Sequence, residues 1–208
     1  MSLRNKGRLE LLRQKKELLL VSHGVKILSA KRDALAAEFA DVSPLARALK
    51  SKLAESLVAA EKSLLISKSL APAQSLSTSA KAAEREIKFV ASIKNVWGVR
   101  IPSAEFPDTR RSPFNRGSAP GYRSTSVDET AGLYEKAVGT LMETAVAESN
   151  LLKVGAALKN AMRRVNALDT VLRPEIKKTI AQIKLKLGEM EREEVARLKR
   201  YKSLKRGV

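Results

Sequence analysis

The sequence predicts an all-α protein: a long antiparallel two-helix coiled coil built from its N- and C-terminal segments, with a short β-hairpin and a Pro-rich loop in the middle. Two heptad stripes and a composition poor in core-filling aromatics carry this expectation. In the first stripe, seven-residue steps give Leu11, Leu18, Val25, Arg32 and Phe39, with Gln14, Val21, Leu28, Leu35 and Val42 at the companion positions. In the second, Val165, Leu168, Leu172, Ile176, Ile180, Ile183, Leu187 and Met190 follow at steps of three or four. Such a stripe occupies one helix face, and another helix's stripe is what can bury it along its length. The chain has 208 residues but only four Phe, three Tyr and one Trp, which suits a thin seam better than a thick core.

The first helix is expected to span residues 1–70, starting between Leu3 and Leu9. Ser43 and Pro44 form an N-cap and first-turn pair, so a kink or restart is expected there. Residues 71–127 form a middle region. It opens on a loop or weak helix carrying Pro72, followed by a hairpin at about 86–101 whose strands join near Ser92 to Asn95. Residues 102–121 hold Pro102, Pro107, Pro113 and Pro120 together with Arg110 and Arg111, and read as an exposed loop. The second long helix occupies 128–208, with Ser126 as N-cap and Asp128 and Glu129 in the first turn, where the macrodipole favours acids. Pro174 removes a backbone donor, so a bend is expected between Leu172 and Glu175. Gly132, Gly139, Gly155 and Gly188 are soft points or places of close helix approach.

The formal net charge is +18, and the excess gathers at the ends. Residues 1–16 hold six Lys or Arg against Glu10, and the last sixteen hold six against Glu193 and Glu194. Antiparallel pairing brings both basic ends together, where they would seek nucleic acid, anionic lipid or an acidic protein cavity, the alternative being that the charge simply keeps an exposed rod soluble. The absence of Cys excludes disulfides and Cys-based metal sites. No apolar run reaches the length of a signal peptide core or a membrane span, so membrane association is expected only through a partner, and a cytoplasmic setting is compatible with this.

Motifs for chemistry are missing. There is no P-loop and no Gly-x-Gly fingerprint, and His23 is the single histidine, which excludes a His-paired metal site. Glu189, Glu191, Glu193 and Glu194 interleave with Arg192, Arg197, Lys199 and Arg200, a solvated face with helical ion pairs. A non-catalytic chain with no cofactor or metal is expected.

Four strings occur in order and at fixed separations: HGVKILSAKRDAL (His23 to Leu35), NVWGVRIP (Asn95 to Pro102), RRVNAL followed by Pro174, and EREEVARLKR (Glu191 to Arg200). Together they resemble the D subunit, the central-stalk rotor shaft, of V-type and A-type rotary ATPases. The resemblance is weakest over residues 51–81 and 103–125. It departs at Asn5 to Arg8, which reads NKGR where family members often carry Pro-Thr-Arg. It implies an antiparallel coil with both termini in the axial cavity of a hexamer of catalytic and non-catalytic subunits. It also implies a small F subunit alongside and a further subunit linking the shaft to the membrane rotor ring. The coil would then transmit torque along a seam formed by Leu11, Leu18, Val25, Leu28, Leu35, Phe39, Val165, Leu172, Ile176, Ile183 and Met190. Arg163 and Arg164, beside Val165, are expected to contact the stator or the F subunit, with ordinary surface charge as the competing role. Trp97 is expected to anchor the hairpin on the coil, with a partner contact as the competing role. A basic coiled coil that binds nucleic acid, or a scaffold, is the alternative, although no base-stacking aromatic platform accompanies the charge.

Overall fold

A computed structural model describes residues 7–116 and 124–206. Helix α1 (Arg8–Leu70) is followed by α2 (Ala73–Ala82), strands β1 (Val90–Val96) and β2 (Val99–Glu105), and a 3-10 turn (Pro113–Arg116). Helix α3 (Thr125–Asn166), a π-helical turn (Ala167–Leu172) and α4 (Arg173–Arg206) complete the chain. The fold is the expected one, two long helical arms with a small antiparallel hairpin between them. The contacts divide it into a terminal unit (1–33 with 159–208) and a central unit (34–158).

In the terminal unit the start of α1 lies antiparallel to α4. Val21, Ile176 and Ile180 form a buried cluster, with Leu11, Leu18, Val25 and Leu172 packed against it. Ile183 is fully buried, and an exposed ion pair joins Arg8 Nη2 to Glu191 Oε1 at 2.8 Å. On the other arm the burial steps run Ala161, Val165, Leu168, Leu172, then Ile176, Ile180, Ile183 and Leu187. Heptad spacing alternates three and four, yet 172 to 176 and 176 to 180 are both steps of four. The helix therefore carries one extra residue, and the π-helical turn just before it absorbs that residue by widening one turn. Where the sequence led to the expectation of a bend between Leu172 and Glu175, the structure has this π-helical turn, and Pro174 sits in the first turn of α4.

Deleting Thr170 from the π-helical turn should return it to α-helix and leave the seam in phase, changing the unfolding free energy by less than about 1 kcal/mol. Deleting Lys178 instead rotates Ile180, Ile183 and Leu187 by about 100° off the seam and should abolish cooperative melting. Thermal denaturation followed by circular dichroism compares the two.

The central unit continues the α1 heptads through Leu35, Phe39, Val42, Ala46, Leu49, Leu53, Ser56, Ala60, Ser63 and Ser67. Opposite them α3 places Val154, Thr144, Thr140, Ala137 and Thr130. Toward the end of α1 the seam turns from aliphatic to hydroxyl-lined. The Ser63 and Ser67 hydroxyls meet that of Thr130 at 2.7 and 2.8 Å, Ser67 also donates to the Ser126 carbonyl, and Ser56 approaches Thr140 at 3.3 Å. Small residues let the helices come close: a Cβ on Gly155 would lie 3.2 Å from the Phe39 ring.

Several expectations are corrected. Helix α1 runs without interruption through Ser43 and Pro44. Pro44 is exposed, so its ring and missing donor fall on the solvent side while Val42 and Ala46 on the seam keep the backbone helical. The start of α3 is capped by the Ser124 carbonyl, which accepts from Val127 and Asp128, two residues before the expected Ser126. The hairpin spans 90–105, with its turn at Trp97 and Gly98 rather than at Ser92 to Asn95. Both turn residues have positive φ, 52° and 81°, the requirement of the tight two-residue turn that matches strand twist. Pro102 lies within β2, and the segment after it is a loop with Pro107, Asp108 and Arg110 exposed as expected, but with Thr109 and Arg116 buried and Arg111 half-buried, so that it is tied down at those three points. The Pro120 portion of that loop, and Leu3, Asn5 and Lys6 at the start, lie outside the described residues.

Candidate functional site

The middle segment is fixed to α3 by one carboxylate. Glu135 projects from the third turn of α3 and receives Arg111 through its backbone N–H (2.9 Å) and Nε (3.0 Å). Arg116 reaches the same carboxylate through Nη2 at 3.0 Å and Nε at 3.3 Å, and its Nη1 donates to the Asp128 carbonyl at 2.9 Å. Arg111 Nη2 continues to the Ala83 carbonyl, and Arg85 donates to the Thr109 carbonyl, so the end of α2 and the chain leading to β1 are tied into the same knot. The side chains of Arg116, Glu135 and Arg111 retain only 8%, 12% and 18% exposure. Burial pushes the Glu135 carboxyl up, but hydrogen bonds from Arg116 and from the backbone and side chain of Arg111 outweigh it and hold the group below the ordinary carboxylate range. Hydrogen bonding to Glu135 likewise raises Arg116 against the opposing effect of burial.

Thr109 completes the attachment. Its buried hydroxyl donates to the Glu135 carbonyl at 2.8 Å, and it lies against Gly139, where a Cβ would come within 2.8 Å of Oγ1. Gly139→Ala is expected to displace Thr109 and destabilise the central unit by about 1–3 kcal/mol, measured by urea denaturation. Gly139→Ala combined with Thr109→Ala should cost less than the sum of the two single changes, because the oxygen that the new methyl group would meet is gone.

Among the described residues, the end of α4 and the hairpin both expose apolar side chains. Past the turn that meets Arg8, α4 continues to Arg206, and each described residue from Glu189 to Lys205 is exposed. This face carries Val195, Leu198, Tyr201 and Leu204 among Arg197, Lys199, Arg200, Lys202 and Lys205. The expected helical ion pairing is present between Arg197 and Glu193 at 3.6 Å. The second surface is the hairpin, where all of β1 except Val96 is exposed and Phe89 packs on Phe106 with ring centroids 5.8 Å apart.

Among the seam residues, Leu35, Val165, Ile176 and Ile183 are buried, while Leu11, Leu18, Val25, Leu28, Phe39 and Leu172 are half-buried. Met190 departs from the expectation. It is 40% exposed, because the register puts Glu191 opposite the first residue of α1 and leaves Met190 at the margin of the paired region. Trp97 does not anchor the hairpin: it occupies the turn and is 59% exposed. Arg163 and Arg164 are exposed on α3, flanked by the buried Ala161 and Val165, and His23 is exposed on α1. Among the described residues no helix is long and apolar enough to cross a membrane.

The family model for the D subunit of ATP synthase matches residues 10–203, from the first turns of α1 almost to the end of α4. The chain belongs to this ATP synthase D-subunit family. It is 33% identical over 197 residues to the D subunit of the A-type ATP synthase of Pyrococcus furiosus, covering 95% of this chain and 92% of that one. The D subunit of the V-type ATP synthase of Anaeromyxobacter sp. (strain Fw109-5) is 33% identical over 184 residues, covering 88% and 86%. Its counterpart in the A-type ATP synthase of Thermococcus kodakarensis is 34% identical over 200 residues, covering 95% and 92%. These matches give no support to a nucleic-acid-binding or scaffold coil. In this D subunit the anchoring triad of Arg111, Arg116 and Glu135 escaped the sequence reading. The charges lie 19 and 24 residues from their partner, with no periodic signal to pair them.

Proposed function

We propose that this D subunit is the central rotor stalk of a V/A-type rotary ATPase, passing torque between ATP turnover in the catalytic hexamer and ion translocation by the membrane ring. The observation that supports it most is that heptad positions of the 63-residue α1 turn inward within each unit, Leu11 to Val25 against α4 in the terminal unit and Leu35 to Ser67 against α3 in the central one. A shaft must resist bending and twisting, and two helices locked along a continuous seam are far stiffer than either alone. It must also present a different face to each surrounding subunit. The one-sided hairpin, the π-helical turn and the uneven charge supply that asymmetry.

On this reading the segments 1–70 and 128–208 are the two shaft strands, and 71–127 is a middle region away from the hexamer. Leu11, Leu18, Val25, Leu28, Leu35, Phe39, Val165, Leu172, Ile176 and Ile183 carry the shear between strands, with Met190 at the margin. The basic, partly apolar end of α4 suits the axial cavity of the catalytic and non-catalytic subunits. The F subunit binds alongside, and a further subunit joins the shaft to the ring, so the chain sits on the cytoplasmic side, peripheral to the membrane. It performs no chemistry of its own.

Arg163 and Arg164 contact the surrounding stator or the F subunit through charge-assisted hydrogen bonds. Replacing both with Ala should leave helix content intact and lower ion pumping per ATP hydrolysed by about 10-fold, the equivalent of one such bond. Unchanged coupled pumping by the assembled complex would remove that role. The function itself is tested by purifying the tagged chain from its native host. Catalytic hexamer subunits in stoichiometric amount are expected, and their absence would refute the assignment.

A further inference from the structure

The two edges of the hairpin are not equivalent. The turn at Trp97 and Gly98 closes on the pair Val96 and Val99, so these two exchange backbone hydrogen bonds and the alternation of an antiparallel ladder sets the rest. Lys94 with Ile101, Ser92 with Ser103 and Val90 with Glu105 turn their backbone groups inward. Ala91, Ile93 and Asn95 on β1, and Arg100, Pro102 and Ala104 on β2, turn theirs outward.

On β2 the central outward donor is missing, because residue 102 is proline. That is the placement by which natural sheets close an edge against further pairing. On β1 all three outward donors are present and no proline interrupts them. The same strand is exposed throughout the stretch concerned, with Ile93 at 73% and Val90 at 73%. A lone two-stranded hairpin is marginal in water, and three strands are the smallest sheet that stands independently. The one charged residue within β1 is the exposed Lys94, and the exposed Lys88 precedes the strand, whereas Arg100 and Glu105 belong to β2. At the end of the edge an exposed Trp is held at positive φ, a position where Asn or Gly would be unstrained.

We propose that the outer edge of β1, through the backbone of Ala91, Ile93 and Asn95, accepts an added strand from an extended, acidic segment of a partner protein. Main-chain hydrogen bonds supply the attachment, and alternate side chains of the partner pack on Ile93 and Trp97. Carboxylates on the incoming strand answer Lys88 and Lys94. Pro102 confines the addition to one edge, so the hairpin recruits a single strand and does not polymerise. The inference rests on the assembly proposed above, since it assigns a contact within it.

Hydrogen exchange at single-residue resolution tests it, comparing the isolated chain with the complex purified from the native host. The amides of Ala91, Ile93 and Asn95 should exchange freely in the isolated chain and slow by at least roughly 100-fold in the complex, while those of Arg100 and Ala104 stay fast. Ile93→Pro removes an outward donor without touching the inward ladder. It should abolish the slowing at Ala91 and Asn95, with Ser92 and Lys94 remaining protected as evidence of an intact hairpin. Pro102→Val, which restores the donor on β2, should leave the slowing unchanged. Fast exchange at all three β1 amides in an otherwise complete complex would overturn strand addition alone. Slowing on both edges alike, the mark of a helix or domain laid over the hairpin, would also overturn it. A chain that brings down no synthase subunits would instead refute the rotor-stalk assignment, and that outcome is read from the purification before any exchange is measured.

Discussion

Replacing Glu135 with Ala is expected to destabilise the central unit by about 3–5 kcal/mol, because it strands the guanidiniums of Arg111 and Arg116 in a site where both are largely buried. The loss should appear first at the Arg111 backbone amide, which donates to the Glu135 carboxylate and would exchange rapidly in the variant. Urea denaturation gives the global value, and amide exchange gives the local one. Glu135→Gln keeps part of the hydrogen bonding and should cost less. It also isolates the dependence on pH. The folded carboxyl lies below its ordinary value of 4.5, so its stabilising contribution is present above 4.5 and lost as pH falls through the depressed folded value. The wild-type denaturation midpoint should therefore drop on acidification below about 4.5, and the Gln variant should lack that part of the drop.

Ile183→Ala is the second change of comparable size. Ile183 is fully buried, so removing three carbons leaves a void that two helices held in fixed register fill poorly, at a cost of about 2–5 kcal/mol. Met190→Ala, one heptad further along, should cost under about 1 kcal/mol, since that side chain is already 40% exposed. Thermal melts of the two variants measure the contrast, and equal losses would place Met190 inside the packed seam after all.

The parts of the fold that were legible in the sequence are those where aliphatic side chains repeat. Leu11 through Phe39 and Val165 through Ile183 announce their faces because Leu, Ile and Val stand out against charged neighbours. The same heptad continues through Ser56, Ala60, Ser63 and Ser67, yet it passes unnoticed because small and hydroxyl side chains look alike on a seam and on a surface. Pro44 misled because its effect depends on which side of the helix it faces, and that is a property of the partner helix. The hairpin was recognised but placed several residues early: Ile87 and Phe89 alternate like strand residues, whereas the decisive signal was Gly98 after Trp97. The attachment of the middle segment was illegible for a different reason. Arg111, Arg116 and Glu135 become partners only once α3 is laid beside the 3-10 turn, and nothing in their local spacing foretells it.

The hydroxyl-lined stretch of the seam has a thermal consequence. Burying Ser, Thr and Ala removes little aliphatic surface from water, so melting this part of the coil should raise the heat capacity by less than the usual ~12–15 cal/mol/K per residue. A smaller increment flattens the stability curve. Held by hydrogen bonds more than by oil-like contacts, this end of the paired helices should keep nearly constant strength from cold to warm, where the aliphatic stretch around Ile176 and Ile183 weakens on cooling.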